Sequence, residues 1–273
     1  MWLKRRVGFF CIVWFLYQAV CAEEIGIRFV VDRMLLKDSA KRERVELKLL
    51  RDVAELNRIY ESSQVRLSAR IVGIDAVDFS DKEAVSILSN MAQQRTGFEN
   101  VYRRAVELGA DYTVAVVDDL RVHGKSMCGR AIAVNRTIDQ LSSLQWSFAA
   151  VHATCGSQTL AHELGHLMGL NHGHLVDRCN PDKGHAKALT SYANGYGEGN
   201  CDGQPQFGEF GDVMVGGAMK QVNGKNNLPI FSNPRIQDER CGPRKICGDE
   251  RIGDAARALN ENAYLFVLHT RSK

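Results

Sequence analysis

Three histidines and one glutamate are set at fixed offsets in His162-Glu163-Leu164-Gly165-His166-Leu167-Met168-Gly169-Leu170-Asn171-His172. On an α-helix, residues four apart stand on one face one turn apart, so His162 and His166 can offer two imidazole nitrogens to a single ion. Zinc binds neutral imidazole at about 2.0–2.1 Å and, in hydrolytic sites, usually keeps three protein ligands and one position for water. Gly169 can take the left-handed conformation that ends a helix and turns the chain back, which would bring His172 in as the third ligand. Glu163 lies beside the first ligand, placed to act on water as a base rather than to bind the ion. Histidines that are merely packed or solvated are the alternative. Three His, one Glu and one Gly at set offsets arise by chance with a probability on the order of 10⁻⁵ in this composition, so the metal reading is taken.

These eleven residues resemble the zinc signature of the metzincin metallopeptidases, HExxHxxGxxH. The resemblance implies a methionine-containing turn downstream. Met214, in Gly211-Asp212-Val213-Met214-Val215-Gly216, is matched to it, with Met219 as the second choice. Phe231-Ser232-Asn233-Pro234 before a final helix is also similar to bacterial secreted metzincins related to the reprolysins and the peptidyl-Asp endopeptidases. What this implies is a secreted zinc endopeptidase with His162, His166 and His172 on one catalytic Zn2+ and Glu163 as general base. A catalytically silent zinc-containing binding or inhibitory protein of the same fold is the alternative, against which the intact Glu163 argues. A closed structural zinc would need His174 or a thiol as fourth ligand. Two departures stand out. Gly173 occupies the place of the reprolysin aspartate, and Gly216, two after Met214, leaves no astacin-like tyrosine.

The elements that hold this stretch can be read in order. Lys4, Arg5 and Arg6, the apolar run Val7 to Val20 and the small residue Ala22 look like a signal peptide over 1–22. The apolar core is short for a membrane anchor, and Val20 fits lipidation at Cys21 poorly. Without the leader the charge tally goes from 35 basic against 32 acidic residues to 32 against 32, leaving no basic stripe for nucleic acid. A secreted or periplasmic monomer acting on proteins or peptides, with no stable membrane insertion, is expected. Residues 23–273 read as one domain, with an upper lobe over about 23–172 and a lower lobe over about 173–273. A strand at Ile25–Val31 starts almost at the cut and leaves no room for a latency segment.

Helical spacing of Val45, Leu47, Leu49, Leu50, Val53, Leu56 and Tyr60 predicts a surface helix over 39–62. Strands are expected over 65–79 and 112–117, helices over 82–94 and 100–108, a sheet-edge strand over 128–134 and an apolar strand over 146–154 carrying a structural His152. Alternation of strands and helices implies an α/β fold with a twisted, mostly parallel sheet and long helices. The resemblance makes it metzincin-like, with a cleft above a smaller loop-rich lobe that ends in a helix bearing Ile252, Ala255, Ala256, Leu259, Ala263 and Phe266. Ser157 or Thr159 is expected to cap the site helix.

Six cysteines remain after the leader, an even set that argues for disulfides in an exported chain. Cys179 with Cys201 and Cys241 with Cys247 are the favoured local pairs, leaving Cys128 with Cys155. The thiols contain no CxxC pair, which disfavours a second zinc. Asn135-Arg136-Thr137 is a glycosylation sequon. Glu198, Asp202, Glu209 and Asp212 could bind calcium, but their spacing matches no calcium loop. His174 and His185 also lie near the ligands in sequence, and His174 could replace His172 if the turn were differently wound, but the offset that the resemblance implies favours His172.

Overall fold

The computed structural model describes residues 22–132, 137–179, 188–202, 206–215 and 227–267. The expected leader up to Cys21, Asn135 of the sequon, the end of the edge strand at 133–134, His185, Gly216 and Met219 lie outside these residues.

β1, Glu23–Asp32, is a nearly unbroken apolar run because both of its faces are covered. Its side chains alternate between them. Ile25, Ile27, Phe29 and Val31 join the core under α1, Ser39–Ser62, while Val30 joins a second core under α2, Ala84–Ala92, and α3, Val101–Leu108. β2, Leu67–Val77, and β3, Tyr112–Val117, flank β1 in parallel, and the strand Phe148–His152 lies parallel to β3. Gly129–Ala131 closes this edge antiparallel to Phe148–His152. The five-stranded sheet is therefore parallel except at the edge beside the site.

Asp38 caps α1 by accepting from the Lys41 N–H. The helix buries Val45, Leu49, Val53, Leu56 and Tyr60. Leu47 and Leu50, expected on the same stripe, are 58% exposed, because at 3.6 residues per turn they fall together on the side of the helix turned away from it. The C-terminal end of α1 is tied to the later half of the chain. Tyr60 stacks on Phe231 at 5.8 Å, the Ser63 hydroxyl accepts from the Phe231 N–H, and the Ser63 carbonyl accepts from Asn233 Nδ2.

The part following the site is built from short segments: a helix at His174–Cys179, a hairpin of Asn233–Gln237 with Ile246–Cys247, and a closing helix at Ala255–Asn262. The closing helix buries Ala255, Ala256 and Leu259, and Asp254 caps it. Ile252, expected on its stripe, lies ahead of the cap and is 37% exposed. Disulfides join Cys128 to Cys155, Cys179 to Cys201 and Cys241 to Cys247, the pairing favoured from sequence. The first ties the edge strand to the loop before the site helix. No helix among the described residues is long and apolar enough to cross a membrane.

Candidate metal site and base

The helix Gln158–Leu167 carries His162, Glu163 and His166. Its N-cap, Ser157, has helical backbone angles and no side-chain capping bond, so the expected cap is absent. At the other end Gly169 takes φ +87°, a conformation costly for any residue with a Cβ, and the chain reverses. His172 returns beside the helix. The reversed segment is pinned by hydrogen bonds from the Asn171 N–H to the Ala193 carbonyl and from the Gly195 N–H to the Asn171 carbonyl.

The three Nε2 atoms converge, 3.1 Å apart between His166 and each of the others and 3.2 Å between His172 and His162. Tetrahedral ligands at zinc distances are separated by about 3.3 Å, so this spacing suits one ion. Proton placement points the same way. His162 Nδ1 lies 2.8 Å from the Val213 carbonyl and His166 Nδ1 lies 3.0 Å from the Leu170 carbonyl. A carbonyl can only accept, so each Nδ1 carries the hydrogen and each Nε2 is left with its lone pair. Burial also holds both imidazoles below their usual pKa, His166 strongly so, with the neighbouring histidines adding to the effect. Facing neutral lone pairs at this range repel unless a cation lies between them. Among the described residues these are the His, Cys, Asp and Glu side chains that converge in this way.

Glu163 is buried beneath the edge strand. Burial pushes its carboxyl up to about 8, opposed by the positive charge of Arg130 and by a hydrogen bond from the Ala131 N–H. The strand passes so close that a Cβ on Gly129 would lie 2.5 Å from Glu163 Oε1. Only glycine lets the backbone approach a carboxylate in this way. Met214 is fully buried under the helix, and a Cβ on Gly165 would lie 2.5 Å from its Sδ. The methionine thus supports the helix between the two histidines, next to the Val213 carbonyl that orients His162.

The other singled-out residues are placed elsewhere. His174 is exposed at the start of its short helix, and His152 Nδ1 lies 3.1 Å from the Thr154 N–H. Glu198 pairs with Arg244, Glu209 accepts from the Asn200 and Gln206 N–H groups, and Asp212 accepts from those of Val215 and Ser232. At Gly173 a Cβ would lie 2.1 Å from the Gly195 carbonyl oxygen, which explains physically why no aspartate stands there. Gly173→Asp is accordingly expected to cost about 1–3 kcal/mol in chemical denaturation, and unchanged stability would show that this close approach relaxes freely. Arg130 and the Ala131 N–H were not read from sequence as contacts of Glu163, since they arrive from a strand far away in the chain.

A family profile described as "Metallo-peptidase family M12B Reprolysin-like" matches residues 50–173. A peptidyl-Asp metalloendopeptidase of Pseudomonas aeruginosa is 30% identical over 217 residues, covering 76% of this chain and 34% of the relative. One from Stenotrophomonas maltophilia is 27% identical over 147 residues, 53% of this chain and 31% of the relative. The chain thus spans about a third of the length of these curated relatives. A solved structure described as a chaperone-substrate complex contains a chain with the same fold, with a TM-score of 0.62 and 20% identity over 91% of this chain and 36% of that one. The matched stretch includes His162, Glu163, His166 and His172, so across its candidate site the chain is similar to the reprolysin-like metallopeptidases.

Proposed function

We propose that the protein is an exported zinc endopeptidase, with His162, His166 and His172 holding the metal and Glu163 acting as general base. The observation that carries this reading is the convergence of three Nε2 lone pairs beside a buried carboxylate. Zinc, when bound, supplies Lewis acidity and lowers the pKa of water towards about 7. Beside such a cation Glu163 would be held ionised and able to accept a proton. Glu163 takes that proton as water attacks the peptide carbonyl and delivers it to the departing amine nitrogen, serving as base and then as acid.

The edge strand aligns the substrate. Bonds from the His152 N–H to the Cys128 carbonyl and from the Ile132 N–H to the Phe148 carbonyl direct alternate residues into the sheet, which turns the main-chain groups of Gly129 and Ala131 outward. A peptide laid against this edge can bond to the main-chain groups of Gly129 and to the Ala131 carbonyl. The Ala131 N–H is already engaged by Glu163, so the strand holds the base and the substrate in register. The apolar leader and the three disulfides support export. The names of the relatives extend to this chain as a preference for peptide bonds beside aspartate.

A general protease assay with and without a chelator tests the reading. Cleavage that disappears on chelation and returns with added zinc is the expected result. A zinc-loaded protein that cleaves nothing would leave the silent binding protein in its place.

A further inference from the structure

The bond between Cys128 and Cys155 joins the two elements between which Glu163 is held. Cys128 directly precedes the strand Gly129–Ala131, and Cys155 lies three residues ahead of the helix Gln158–Leu167. The strand backbone is wedged against the first two turns of this helix: a Cβ on Gly129 would lie 2.5 Å from Glu163 Oε1 and 2.8 Å from Thr159 Cγ2. Noncovalent ties at this contact are few. The strand has three residues and is paired on one side, and the helix starts without a side-chain cap at Ser157. Segments of this kind open locally at low cost. The three histidines are held from elsewhere. The Val213 and Leu170 carbonyls orient His162 and His166, and the segment carrying His172 is bonded to Ala193 and Gly195. Opening the disulfide therefore frees the side of the site that holds the base and leaves the ligand side tied. Solvent reaches the bond, since Cys128 is exposed and Cys155 half-buried, whereas Cys241 and Cys247 are fully buried.

We propose that the Cys128–Cys155 bond is a redox-controlled positioning device: oxidised, it clamps the edge strand over Glu163; reduced, it lets the strand lift away, and hydrolysis slows while the histidines still bind zinc. The inference rests on the peptidase reading above and adds a control to it. A dithiol opens the bond in two steps. One thiolate attacks a cysteine sulfur, giving a mixed disulfide and a free protein thiol. The second thiol then displaces the other cysteine, so two electrons and two protons pass to the protein as the dithiol closes into its own disulfide. An oxidising compartment supplies disulfides that run this exchange in reverse, which couples full activity to export.

The second disulfide is the control for the test. Cys179–Cys201 spans a sequence separation of 22 against 27, so losing either bond should cost comparable stability. In zinc-loaded protein, Cys128→Ser/Cys155→Ser should slow casein cleavage by about 10- to 100-fold. It should keep its zinc and exchange the amide hydrogens of Gly129–Ala131 faster. Cys179→Ser/Cys201→Ser should cleave casein at the wild-type rate and still be inhibited by dithiothreitol. Folding this second variant oxidised and then reducing it gives the same comparison if the first variant does not fold. In that reduced protein, a one-carbon bridge between the Cys128 and Cys155 sulfurs should restore activity, and capping both with iodoacetamide should not. Full activity without the Cys128–Cys155 bond, zinc lost together with activity, or an equal loss on removing Cys179–Cys201 overturns the proposal. Unchanged exchange at Gly129–Ala131 also overturns it. An oxidised wild type that cleaves no casein overturns the peptidase reading instead.

Discussion

Glu163→Gln is expected to lower kcat by about 10²–10⁴ while zinc content and thermal stability stay near those of the wild type. The substitution is nearly isosteric, and the amide oxygen can still accept from the Ala131 N–H under the edge strand. It also removes a carboxylate whose burial disfavours its charge, so no loss of stability is expected. What disappears is the capacity to take a proton from water and return it to the amine. His166→Ala should behave differently. Its Nε2 is one of three convergent nitrogens and its Nδ1 is bonded to the Leu170 carbonyl, so truncation should remove the metal as well as the activity. Elemental analysis beside a casein assay separates the two variants. A Glu163→Gln protein that cleaves casein at the normal rate would require another base, and a His166→Ala protein that retained stoichiometric zinc would require another ligand set.

The features legible in sequence were those governed by short-range periodicity. Burial of β1 on both faces gives a run of apolar residues, and the one-sided burial of α1 gives a helical stripe, so both elements could be bounded closely. The His162, His166 and His172 spacing was readable because a helix turn and one left-handed glycine convert sequence offsets directly into space. Local chain geometry likewise limited the cysteine pairing.

Contacts made across long sequence separations were not legible. Nothing local to Gly129 indicates that its backbone lies against Glu163, and nothing local to Gly173 indicates that the Gly195 carbonyl fills the space of its side chain. Capping failed at Ser157 for a related reason: residue type permits a cap, but the backbone arrives in the helical region and directs the side chain elsewhere. Leu47 and Leu50 show the limit of periodicity itself, since a tolerant helical pattern accepts residues that the actual stripe excludes. Asp212 was singled out as a possible calcium ligand. In the structure its oxygens serve backbone N–H groups within the methionine-bearing segment.

That placement leads to a second large effect. Asp212 is fully buried, with one oxygen accepting from the Val215 N–H and the other from the Ser232 N–H, so it clamps the turn around Met214 to the Phe231-Ser232-Asn233 segment that braces α1. Asp212→Ala leaves the buried Ser232 N–H without its acceptor and the Val215 N–H with only the Asp212 main-chain carbonyl, and should cost about 1–3 kcal/mol. Loosening the turn also frees the Val213 carbonyl that orients His162, so zinc affinity should fall by about 10-fold or more. Proton linkage gives a further signature. Burial raises the Asp212 carboxyl from its ordinary 3.8 to about 6, so between these values the native state retains a proton that the unfolded chain has released. The stabilisation attached to that proton is complete below the unfolded value and is lost as pH rises through the folded one. Asp212→Asn cannot titrate. The stability difference between wild type and Asp212→Asn should therefore be largest near pH 4 and shrink by pH 7, as measured by denaturant unfolding across that range. A difference that stays constant with pH would mean that the N–H groups of Val215 and Ser232 keep the carboxylate ionised despite its burial.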